Sequence, residues 1–257
     1  MLQRMTRESE IKQAREDISA IGVWLACAVL YAIFMSFAFT NPSILKGELG
    51  LLENTQVAFL VAALAIAIHL ASRVDEKWLR WWVILICLGA FYLLTEETSW
   101  GQHYFGWEMA GIFESINDQG ETNIHNASSW FDQKPRAILL FGMILGTMVH
   151  PLVKRFRSGR GLFDTPWWLA PTLVCLGPVV FSQIAALPER FDDVNAFSIS
   201  VQAFTGGYRS SEMEEVFMYM FFITYLLSLG HRLKFRSASA EGDGPSQRPV
   251  SPTADNR

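Results

Sequence analysis

Two short runs of the chain hold residue types able to do chemistry. The first is Glu96-Glu97-Thr98-Ser99-Trp100-Gly101-Gln102-His103, and the second is Gly120-Glu121-Thr122-Asn123-Ile124-His125-Asn126. Carboxylate and imidazole together suit zinc, manganese or iron, and they also suit general acid–base catalysis. If the helix carrying Glu96 continues through the run, Glu96, Trp100 and His103 share one face. On the same condition Glu121 and His125, four apart, share another. This spacing permits a divalent metal such as zinc held by Glu96, His103, Glu121 and His125. It makes Glu96, Glu97, His103 and His125 the candidate catalytic groups. No His-Glu-x-x-His or Glu-x-x-His pair is present, so neither a metalloprotease nor a bundle-type di-iron centre is indicated.

Further acids lie beside these runs: Glu48 and Glu53, then Glu212, Glu214 and Glu215. Glu212 and Glu215 are three apart and share a helix face, whereas Glu214 points elsewhere. The helix dipole favours acids in a first turn, which suffices for Glu53, Glu212 and Glu214. It opposes Glu96 and Glu97, which fall at a helix C-terminal end. That pair therefore needs a partner or a function. Arg136 and Arg209 are the nearest bases, so a structural ion-pair network stands as the rival reading. His69, His150 and His231 fall at the opposite ends of their segments and carry no pattern.

The elements that must position these residues are membrane helices. The 257 residues are 51% hydrophobic and 18% charged, and the apolar residues come in blocks of roughly 15–22 that nearly exclude charge. Six spans are expected: Ile18–Phe39, Thr55–Ala71, Leu79–Thr95, Ala137–Leu152, Trp167–Leu187 and Val216–Leu229. The third and sixth reach full length only by including Glu96–Glu97 and Glu212–Glu215. Many of the nine Trp and nineteen Phe sit at block edges, where amphipathic rings favour the headgroup zone. Cys27, Cys87 and Cys175 all fall inside apolar blocks and read as small hydrophobes, not a disulfide framework.

Basic residues alternate between the loops. Arg4, Arg7, Lys12 and Arg15 precede the first span; Arg73, Lys77 and Arg80 follow the second; Lys154, Arg155, Arg157 and Arg160 follow the fourth; Arg232, Lys234 and Arg236 follow the sixth. By the positive-inside rule both termini are cytoplasmic. The ends carrying Glu53, Glu96–Glu97 and Glu212–Glu215 are then all extracytoplasmic. Residues 1–17 form a cytoplasmic segment, 18–236 the transmembrane bundle, and 237–257 a Ser/Pro/Gly-rich tail expected to be disordered. The first span reads as a retained anchor. The outer loop, 96–135, is too long for a turn, and its aromatic residues Trp100, Tyr104, Phe105, Trp107, Phe113, Trp130 and Phe131 argue for an amphipathic helical insertion. The fold class is thus all-α, a polytopic membrane helix bundle of about six transmembrane helices. The net charge of −4 and the lack of a basic patch give no reason to expect a nucleic-acid partner.

The two runs, Glu96 to Gln102 and Gly120 to Asn126, resemble a group of bacterial polytopic membrane proteins of uncharacterised activity, marked by Glu-Glu-x-Ser-Trp-Gly-Gln and Gly-Glu-x-Asn-x-His-Asn. The resemblance covers the third span and its following loop best, and Glu53 and Glu212–Glu215 more loosely. It implies a multi-pass protein of the bacterial inner membrane and transfers no mechanism. The histidine-bearing span motif of alkaline-ceramidase-type membrane hydrolases is missing.

Three functions fit these residues. One is an outer-leaflet enzyme acting on a lipid-linked or glycan substrate, through a metal or an acid–base pair. Another is a non-catalytic accessory or assembly subunit whose aromatic loop docks on a membrane partner. A cation or proton pathway is the weakest, because the first, fourth and fifth spans contain no charge to continue a relay.

Overall fold

The computed structural model describes residues 17–47, 49–108, 129–157, 162, 170–193 and 208–242, and every regular element among them is helical. In chain order these are α1 (Ala20–Thr40), α2 (Leu51–Arg73), α3 (Lys77–Glu97), the single turn α4 (Gln102–Phe105), α5 (Ser129–Ile144), α6 (His150–Phe156), α7 (Leu176–Asp193) and α8 (Ser210–Gly242). Among the described residues, five stretches are long and apolar enough to cross a membrane: α1, α2, α3, Arg136–Phe156 and Ser210–Leu233. The chain is an integral membrane protein. A helix satisfies its own backbone in lipid, which is why apolar blocks of this length take this form.

Burial orders the bundle. Within α8, 61% of the apolar window is buried, against 11% in α1. α8 is therefore the central helix, packed on α7 and α2, while α2 also packs on α3 and α1 lies against α7. The core of the bundle is formed by side chains such as Leu60, Phe34, Phe217 and Met218, all essentially inaccessible. Ile21, Leu25 and Val29 on α1 face outward, the arrangement expected when the surrounding solvent is hydrocarbon. The N-terminus of α1 is capped by Ser19, whose Oγ accepts from the Gly22 amide at 3.2 Å.

The expected fifth span, Trp167–Leu187, is described only from residue 170 onward. Its described part is a short 3-10 turn, Leu173–Cys175, followed by α7, which ends on Glu189, Arg190, Asp192 and Asp193. Those four charges take α7 out of the set of apolar spans. It nevertheless runs antiparallel along α8. Arg232 donates to the Ala170 carbonyl at 3.4 Å, and the Thr172 and Ser228 hydroxyls are 3.4 Å apart. The Tyr208 hydroxyl donates to the Ala185 carbonyl at 3.4 Å, and Arg190 reaches Glu214 at 3.1 Å. From Arg232 to Glu214, α8 rises roughly 27 Å at 1.5 Å per residue.

The fourth span is broken by a π-helical turn, Leu145–Val149, immediately before Pro151. A proline ring collides with the carbonyl four residues back, here that of Thr147, and the wider turn relieves the collision. Thr147 bonds back to the Met143 carbonyl at 2.7 Å. A Cβ on Gly146 would lie 2.8 Å from Pro171, so only glycine permits this approach. At the C-terminus α8 continues to Gly242, past the start of the expected disordered tail at 237; Ala and Glu extend an established helix at little cost. The expected insertion falls largely on 109–128, outside the described residues, as do 1–16 and 243–257.

Candidate functional site at the acidic end of the bundle

The start of α2, the end of α3 and the start of α8 meet at one end of the bundle. The C-terminal end of α3 shows why these residues stand where they do. Thr98 closes the helix, its Oγ1 donating back to the Leu94 carbonyl at 2.9 Å. Ser99, Trp100 and Gly101 then follow with φ of 45°, 56° and 95°. Left-handed backbone costs a non-glycine residue about 1–2 kcal/mol, so two such residues in sequence need support. Trp100 Nε1 donates to Glu96 Oε1 at 3.0 Å, and Ser99 Oγ and His103 Nε2 are 2.8 Å apart. Glu96, itself buried, and His103 thus brace the turn.

The helix therefore does not continue through the run, and the expected common face of Glu96, Trp100 and His103 is replaced by this turn. Trp100 still reaches Glu96, but by curling back. Glu96 and His103 face different partners. Among the described residues no group of three or more His, Cys, Asp or Glu side chains is arranged to hold a metal. Glu121 and His125, the other two expected ligands, lie outside the described residues, as does Glu48.

Glu97 turns the opposite way from Glu96, into the bundle, where the Tyr219 hydroxyl donates to its Oε1 at 2.6 Å. Glu53, Glu212 and Arg136 are its charged neighbours, and Glu97 and Glu212 are in turn neighbours of Glu215. Glu215 pairs with Arg136. Arg209 pairs with Glu212 at 3.1 Å. Beneath them Gln56, fully buried on α2, donates from Nε2 to the Glu212 carbonyl at 2.8 Å, to Glu212 Oε2 at 3.2 Å and to Glu215 Oε2 at 3.4 Å. Glu214, on the other side of α8, takes Arg190 and a contact of 3.4 Å from Gln183.

The rim of this end is aromatic. Phe105 and Trp107 stack with ring centroids 5.7 Å apart, and Trp100 and Tyr104 are exposed beside them. The Tyr104 hydroxyl donates to Asn54 Oδ1 at 3.1 Å, tying the rim to α2. Partial burial, and behind it the charge of Glu53, holds this phenol above its ordinary pKa.

Of the groups singled out by the sequence, the structure thus joins Glu97 to Glu53, Glu212, Glu215 and Arg136, and sets Glu96 and His103 apart as supports. Gln56 and Tyr219 were missed. A glutamine inside an apolar span is itself a signal, since a polar side chain there needs a reason. Tyr219 lies one turn beyond Glu215 on the same face and could have been found that way.

The geometry of the described residues defines a class, a helical integral membrane protein with a half-buried carboxylate cluster at one end. Comparison with family models, with curated proteins and with solved structures gives no match for this chain.

Proposed function

We infer that the carboxylate cluster is a working site, and that the protein is an enzyme acting by general acid–base chemistry on a lipid-linked or glycan substrate at the outer leaflet. The observation that carries this is the setting of Glu97. Its carboxylate sits at a membrane helix end where the dipole opposes it, and its hydrogen bond comes from a neutral phenol, not from a guanidinium. A group held in that way remains able to take and return a proton. Arg136 and Arg209, already beside the acids, are placed to steady an anionic substrate group such as a phosphate.

The topology proposed with it is six passes, α7 supplying the fifth, because α7 follows α8 from the Arg232 level to the Glu214 level. Six passes and the basic loops put both termini in the cytoplasm and the cluster outside, in a bacterial inner membrane. A divalent metal such as zinc, held by Glu96, His103, Glu121 and His125, is a weaker proposal, because Glu96 and His103 have other partners.

One observation favours a second reading. The stacked Phe105–Trp107 pair with exposed Trp100 and Tyr104 forms an aromatic rim suited to docking an accessory subunit on a membrane partner. Mass-spectrometric profiles of lipids and lipid-linked glycans separate the two. Cells lacking the chain are expected to show an altered profile that the wild type restores and Glu97→Gln does not. Restoration by Glu97→Gln, with loss of function on Phe105→Ala/Trp107→Ala and of a co-purifying partner, would favour the accessory role.

A further inference from the structure

Gln56 holds an unfilled acceptor. Its Nε2 is used three times over, by the Glu212 carbonyl and by the Glu212 and Glu215 carboxylates, yet its Oε1 is buried with no hydrogen-bond partner. The amide orientation is fixed by chemistry: turned over, it would aim a carbonyl at two carboxylates. A buried acceptor left empty costs about 1–3 kcal/mol, so a donor belongs there. Among the described residues the same place gathers four carboxylates, Glu53, Glu97, Glu212 and Glu215, around two guanidiniums, Arg136 and Arg209. A buried acceptor beside more carboxylates than guanidiniums suits a donor that is also a cation.

We propose that Gln56 Oε1, with the carboxylates of Glu212 and Glu215, receives the ammonium of a primary amine, as carried by an ethanolamine head group. It rests on reading the cluster as a substrate site at the outer leaflet, and it names the substrate's recognised group. An ammonium brings one positive charge and three N–H donors, enough for the amide carbonyl and both carboxylates at once. Entry competes with the less exposed Arg136–Glu215 pair and with the Arg209–Glu212 pair, in which Arg209 is 61% exposed. Such exposed pairs hold weakly. A quaternary ammonium carries the same charge but no N–H, and cannot fill the acceptor.

The full chain is purified in detergent and titrated with ethanolamine, with choline and with sodium chloride at matched ionic strength. Ethanolamine is expected to bind roughly tenfold more tightly than choline, the difference of one charge-assisted hydrogen bond. Equal binding of the two overturns the proposal, as does binding no stronger than that of sodium; a buried water would then fill Gln56. Gln56→Leu is expected to abolish the preference. If that variant does not fold, the wild-type comparison of ethanolamine with choline still decides.

Two sources carry this group. In nanodiscs, thermal stabilisation by phosphatidylethanolamine over phosphatidylcholine supports a lipid head group. Stabilisation by free ethanolamine alone, equal in both lipids, supports a soluble amine. Glu97→Gln separates this inference from the proposed function. Loss of complementation without any ethanolamine preference in the wild type sinks only the recognition claim. An intact preference with full complementation by Glu97→Gln sinks only the acid–base reading.

Discussion

The two ends of α8 hold charge in opposite ways. At the basic end Arg232 is 1% exposed, yet its Nε donates to the Ser228 carbonyl at 3.3 Å and its Nη2 to the Ala170 carbonyl. Asp17 is its charged neighbour, and Thr172 donates to Asp17 Oδ2 at 2.6 Å. One guanidinium thus joins the residues before α1, the approach to α7 and the end of α8. At the acidic end the side chains of Glu212 and Glu215 are each 14% exposed and that of Arg136 27%, and the amide beneath them keeps an empty acceptor. A closed charge network holds helices together. An open one with spare capacity is suited to receive something from outside.

Removing the closed network should have the largest effect. Arg232→Leu leaves the Ser228 and Ala170 carbonyls without their donor and Asp17 without its charged neighbour, and each buried acceptor so emptied costs about 1–3 kcal/mol. Thermal unfolding in detergent should show a fall of that order, and an unchanged midpoint would mean that the basic end is not a lock.

How much of this could be read in advance differs between the two ends. The membrane helices were legible because apolar blocks are local, and Glu97 was suspect because a helix dipole is local too. The bracing of Glu96 by Trp100 and the separation of His103 from Glu96 were not, because they depend on a left-handed turn at Ser99–Trp100 that no spacing rule anticipates. Arg232 read as one more basic residue after a span; its burial comes from Ala170 and Asp17, far away in the chain. α7 was expected as an ordinary span, and only its contacts along α8 show how a helix ending in four charges follows the same path.

The next effect is on function. Glu97→Gln keeps an acceptor for Tyr219 and should change stability by less than about 1 kcal/mol. Loss of its proton transfer should lower activity by roughly a hundredfold or more, read as failed restoration of the lipid and glycan profile at normal protein level. Gly101→Ala sharpens the assignment of Glu96 and His103 as supports. At a φ of 95°, with a Cβ 2.9 Å from Trp107, it should cost about 1–2 kcal/mol in thermal unfolding. A neutral outcome would mean that the turn is not under strain. Arg209→Ala should matter least, within about 1 kcal/mol, because its pair is exposed. A larger loss of stability would make the acidic end a lock as well.

The contrast between the ends is tested most directly by setting Glu97→Gln beside Arg232→Lys and measuring thermal midpoint and restoration of the profile per folded molecule in one experiment. Glu97→Gln is expected to keep its midpoint and lose function, and Arg232→Lys to lose midpoint while each folded molecule still works. The reverse pattern, a Glu97→Gln protein that restores the profile or an Arg232→Lys protein that is stable but inactive, would contradict the assignment of site and lock.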